Sequence, residues 1–174
     1  AATALLLPLA LPDLRSASAD STPIAVLARR ALGPALMVGF FEEIGWTGFA
    51  VPQLRARHTL LATGLAVGVV WGAWHFPLFW EADSFAPALP LAILATRLFS
   101  WLPALRILLV WIHDRTQSLP VVMVMHAAVS FVTLALPPAS LTGARLLTSL
   151  FATAATMWLL VAVVGVARSA RGVR

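Results

Sequence analysis

Four ionisable side chains, Glu42, Glu43, His75 and His126, stand inside stretches that are otherwise apolar. In lipid each such group costs about 2 kcal/mol or more at mid-bilayer on insertion scales, so it is expected to face a bundle interior and mark a functional site. A single intramembrane His is as readily a packing residue hydrogen-bonded to its neighbour. The Glu-Glu pair is harder to read that way, because successive helical residues point about 100° apart and need two separate environments. One Glu and two His allow two chemistries. The carboxylate can serve as general base on a water, with one imidazole holding that water and the other donating a hydrogen bond to the developing oxyanion. Alternatively Glu42, His75 and His126 bind a divalent metal such as zinc, a His₂Glu set that leaves a fourth position open for water. The residue sets of alternative hydrolytic chemistries are absent. The chain has no His-Glu-x-x-His and no Gly-x-Ser, and no Asp lies inside an apolar span.

Helices must bring these groups together, and a spanning helix needs about 20 mostly apolar residues. Residues 14–22 are polar and Ser-rich and read as a loop. From Pro23 to Leu54 the chain is apolar, interrupted by Arg29–Arg30 and by Glu42–Glu43, which divides it into a short amphipathic lead-in and helix A over 33–52. Helix B follows over 59–80 with His75. Helix C covers 87–112 with Arg97, Arg106, Pro90 and Pro103, and is the span most readily divided into two pieces. Helix D covers 118–136 with His126, Ser118 as its cap and Pro120 in its first turn, where a missing N–H costs nothing. Helix E covers 145–167. Counting about 1.5 Å per residue from the outer ends places Glu42 roughly 14 Å deep, His75 roughly 8 Å and His126 roughly 15 Å, one slab of the membrane.

Composition agrees that lipid is the solvent. Of 174 residues, 60% are hydrophobic and 11% charged, with mean hydropathy +0.91, whereas a soluble domain is about a quarter charged. The net charge of +5 and pI near 11.7 do not indicate nucleic acid, because the basic residues are all Arg, scattered between apolar runs with no basic face. With no Cys, disulfides and thiolate metal sites are excluded. The opening 1–12 lacks a basic segment ahead of its apolar stretch and reads as a partial or re-entrant helix rather than a signal peptide. The expected fold is a single all-α domain over 1–174, a polytopic bundle of about five spanning helices plus that partial segment. Connecting the spans alternately puts Arg55, Arg57, Arg115, Arg168, Arg171 and Arg174 on one side and Arg145, with Glu81 and Asp83, on the other. That is a positive-inside bias, against which Arg29–Arg30 dissent.

Three stretches carry a resemblance. Phe41-Glu42-Glu43-Ile44-Gly45-Trp46-Thr47-Gly48-Phe49, then Trp71-Gly72-Ala73-Trp74-His75-Phe76-Pro77-Leu78-Phe79, then Ser118-Leu119-Pro120 running to His126-Ala127-Ala128, resemble the three signatures of the CPBP family. These are the CAAX proteases and bacteriocin-processing enzymes, also called the abortive-infection family. The resemblance covers residues 33–130. It implies a multi-helix fold that cleaves peptide bonds in or beside the membrane. By the same resemblance Glu42 and His75 activate water, Glu43 is the supporting carboxylate, and His126 with the following motif residue forms the oxyanion hole. Metal-dependent and metal-free glutamate mechanisms are both ascribed to the family, so zinc is a candidate cofactor. Two positions depart from its pattern. The Arg of Glu-Glu-x-x-x-Arg is Thr47 here, which removes the obvious partner of Glu43 and leaves Arg97 or Arg106 as substitutes. The Asn of His-x-x-x-Asn is Ser130, a shorter donor. The family's usual Phe in the second motif is Trp71, one turn before His75 and able to pack on its ring.

The expected function is therefore an intramembrane endopeptidase. Its catalytic set is Glu42, Glu43, His75, His126 and Ser130, and its partners are membrane lipid and a membrane-proximal peptide or protein. The alternative is a catalytically weakened relative acting as a binding or bacteriocin-immunity protein. A small proton-coupled transporter is disfavoured, because no pair of interrupted helices suggests inverted repeats. The expected location is a bacterial cytoplasmic membrane.

Overall fold

The computed structural model describes residues 24–135 and 141–169, and all regular structure among them is helical. The N-terminal apolar segment and the Ser-rich loop lie outside the described residues, as do Arg171 and Arg174. Helix α1 spans Ile24–Gly45 and continues through a π-helical turn, Trp46–Ala50, into α2, Val51–Arg55. The expected lead-in and helix A are thus one element. Arg29 and Arg30 are both exposed in its first two turns, where long side chains can carry their charge out of an apolar layer without breaking the helix.

Helix α3, Leu60–Trp74, starts on Thr59, whose hydroxyl accepts from the Ala62 amide at 3.2 Å. It stops at Trp74, short of the expected 80, because Pro77 has no amide to extend the ladder and its ring crowds the preceding turn. His75 forms the turn, and α4, Phe76–Phe79, follows. The irregular third span is two helices, α5, Ala88–Phe99, and α6, Leu102–Thr116, divided at Ser100–Trp101 just ahead of Pro103. Helix α7, Leu119–Ala135, keeps Pro120 in its first turn, and α8 spans Gly143–Ser169.

The chain is membrane-integral in character. Ala88–Thr116 and Gly143–Gly165 are long and apolar enough to cross a bilayer, and α3 and α7 are shorter apolar helices. Helix α1 turns Leu32, Leu36, Met37, Phe40, Phe41 and Ile44 outward, a run of exposed apolar side chains of the kind that marks a membrane or protein contact surface.

The helices group into two compact units, one of residues up to Ala50 with Ile112–Thr142, the other of Val51–Trp111 with the residues from Gly143 on. In the first, α1 packs along α7. Gly39 makes the closest approach: a Cβ there would stand 2.7 Å from the Met123 carbonyl oxygen and 2.8 Å from the Ala127 Cβ. In the second, Gly64 and Gly68 form the helix-contact face that their spacing suggests, and their partner is α6. A Cβ on Gly64 would meet Ile107 at 2.7 Å, and one on Gly68 would meet Pro103 Cα at 2.6 Å. Helix α8 packs on α5, and the Trp158 indole donates to the Ser100 carbonyl at 2.8 Å, at the break between α5 and α6.

Candidate active site

In the first unit, Glu42 and Glu43 sit one turn beyond Gly39, where α1 and α7 are drawn together. Their environments differ as a 100° turn requires: Glu43 is fully buried and Glu42 half-buried. The Glu43 side chain reaches α7, where its Oε1 lies 2.7 Å from Nδ1 of buried His126. The hydroxyl of Thr47, itself fully buried one turn along the same helix, donates to Oε2. As a carboxylate Glu43 accepts both bonds, since it has no proton to give. Two of its partners are therefore a neutral hydroxyl and an imidazole. Arg97 pairs with Glu81 at 3.5 Å, and the Arg106 guanidinium lies 4.3 Å from the centroid of the Trp71 ring. Ser130 stands half-buried on α7, one turn after His126, with its carbonyl accepting from the Thr133 hydroxyl at 2.9 Å.

In the second unit, His75 occupies the turn that Pro77 forces on the chain. Its Nδ1 lies 2.7 Å from the Trp71 carbonyl, and a carbonyl only accepts, so Nδ1 carries a proton, and the neutral tautomer that allows this bond has its lone pair on Nε2. Aromatic rings fix its plane. Phe79 stacks on it at 5.8 Å and 15°, and Trp71 and Trp74 meet it edge-on, each at 5.2 Å. The expected packing of Trp71 on His75 is present. Trp71 is in turn covered by Arg106, a cation with no exposed surface held by cation–π attraction.

Two site-building residues were illegible from sequence in these roles. Thr47 registers there only as a missing arginine. Arg106 stands out as a charge in an apolar span, but nothing in its spacing points to Trp71. On metal binding, a His fixed through Nδ1 by a carboxylate is how metal-bound imidazoles are commonly oriented, and the donor types suit zinc. Within either unit, no three His, Asp or Glu among the described residues converge on one point.

Comparison with known proteins follows the same residues. Residues 25–132 match the family described as Rce1-like, Type II CAAX prenyl endopeptidase Rce1-like. A curated relative, CAAX prenyl protease 2 of the archaeon Methanococcus maripaludis, is 34% identical over 70 residues, which is 40% of this chain and 23% of that protein. The matched segment thus spans less than a quarter of the relative's length, and no solved structure matches. Glu42, Glu43, His75, His126 and Ser130 all fall within the family match, and the chain belongs to the Rce1-like family of type II CAAX prenyl endopeptidases.

Proposed function

We propose that this chain carries the catalytic residues of an intramembrane endopeptidase that hydrolyses a peptide bond in or beside the bilayer. The observation that carries this reading is the buried Glu43–His126 pair, 2.7 Å between Oε1 and Nδ1. A carboxylate and an imidazole set against each other in a buried position are costly as packing groups, and the arrangement fixes one edge of the ring while directing the other away. In this reading Glu42 takes a proton from water as the oxygen attacks the scissile carbonyl. His75 holds that water through the lone pair on Nε2. With its ring protonated on both nitrogens, His126 donates to the oxyanion from Nε2, aided by the Ser130 hydroxyl, and the proton on Glu42 passes to the leaving amine. If a metal is bound, Glu42, His75 and His126 would hold it, and it would supply Lewis-acid polarisation and a more acidic water.

The relative's name, CAAX prenyl protease 2, supports as substrate class a membrane-held chain whose cleavable segment adjoins a prenylated cysteine. Cleavage of a prenylated CAAX peptide and its unprenylated twin by the purified protein in detergent tests both points. Glu42→Gln keeps the shape and removes the base, so cleavage should fall by about 10²–10⁴-fold. A Glu42→Gln protein that cleaves at the parental rate defeats the protease reading. A binding or immunity role, which the exchange of Asn for Ser130 favours, then takes its place.

A further inference from the structure

We infer that Thr47 is a positioning residue, acting through Glu43 to set the ring of His126 by a hydrogen bond rather than by charge. The inference rests on the catalytic reading of His126. Glu43 and Thr47 have no exposed surface, and His126 is almost fully buried, so water is not at hand to replace a lost donor. A glutamate carboxylate turns freely about its last bond. With Oε2 accepting from the Thr47 hydroxyl, Oε1 is left facing Nδ1 of His126. One rotor thus has both its oxygens engaged, one from its own helix four residues along and one from α7.

The π-helical turn begins at Trp46, so Thr47 lies at its start, where the bond back to Glu43 still follows α-helical spacing. The position is the one where the related signature carries an arginine. A guanidinium there would compete with the imidazole for the carboxylate. The hydroxyl orients the carboxylate through Oε2 and leaves Oε1 to His126.

The test compares Thr47→Val, which keeps the branched shape and removes the hydroxyl, with Thr47→Ser, which keeps the hydroxyl. The readouts are kcat and KM on an internally quenched prenylated CAAX peptide, thermal unfolding, and the His126 Nδ1–H resonance in ¹⁵N-histidine-labelled protein. Thr47→Val should lower kcat by about tenfold, the scale of one lost hydrogen bond, with KM unchanged. It should also shift or broaden the resonance. Thr47→Ser should restore both. A Thr47→Val protein with parental kcat and an unmoved resonance overturns the inference. If Thr47→Val fails to fold, Thr47→Ala against Thr47→Ser, a pair differing by one oxygen, must show the same split, and equality of that pair overturns it. The catalytic reading fails separately, when Glu42→Gln leaves cleavage intact; the resonance still decides whether Thr47 sets the ring.

Discussion

Ser130 lies one turn beyond His126 on α7, where a hydroxyl in place of a carboxamide can still donate a single hydrogen bond over a shorter reach. Ser130→Ala should slow turnover by up to about 10²-fold if that hydroxyl meets the oxyanion. An unchanged kcat would leave His126 to act without it. His75→Ala should cost about as much as Glu42→Gln, and the double variant should be little worse than either, because groups that act on one water are lost as a unit; additive losses would separate their roles. A chelator divides the two chemistries: activity that vanishes and returns with zinc requires the metal, and indifference leaves the glutamate base alone. At this scale the sequence was legible in residue type but not in partnership. Costly polar groups in apolar runs announce themselves. The bond between Glu43 and His126 joins positions 83 apart, and Thr47 is an ordinary residue whose importance comes only from what it touches.

Two helical features set where these side chains stand. Gly39 lets α1 lie against the α7 backbone one turn before Glu43. Gly39→Leu should separate the helices, at an overpacking cost of about 1–3 kcal/mol, and should reduce cleavage more than a stability loss of that size explains. Thermal unfolding measured beside kcat checks it. Pro77 ends α3 at Trp74 and puts His75 in a turn. Pro77→Ala should let the helix run on and carry the imidazole out of its stack on Phe79, and a displacement of about 1 Å can cost 10²-fold in rate. Retained activity in Pro77→Ala would show that the turn is dispensable. Helix existence was readable because long apolar runs are a strong signal, whereas the ends were not. The Arg29–Arg30 pair suggested a boundary that exposed side chains do not need, and Pro77 marked one that the apolar run concealed.

For the molecule as a whole, orientation in the bilayer follows from the distribution of arginine. Arg55 closes α2 and Arg115 lies in the last turn of α6. With Arg57 and the arginines after Ala167 they make six, against Arg145 and the dissenting Arg29–Arg30 on the opposite side. The residues after Ala167 should therefore be cytoplasmic and Glu81–Asp83 external. Reporter fusions at Arg174 and beside Asp83 check this, and a reporter active outside the membrane at Arg174 reverses the orientation while leaving the helices as described. The apolar surfaces of α1 and α8 were legible from composition alone. The grouping of helices into two units was not, because the glycines that allow each close approach give no sign of which helix they meet.

The indole of Trp158 closes on the Ser100 carbonyl across 58 positions of chain. A carbonyl released by a helix break has no water to turn to in hydrocarbon, so its partner must come from the protein. During synthesis at about 5–20 residues per second, that partner emerges roughly 3–12 seconds after the break itself. For that interval the α5–α6 segment sits in the membrane or its insertion machinery without its clasp. A nascent chain stopped before Trp158 should therefore be open to proteolysis around Ser100. One extended past α8 should not, and a helix made later thereby sets when an earlier one becomes secure.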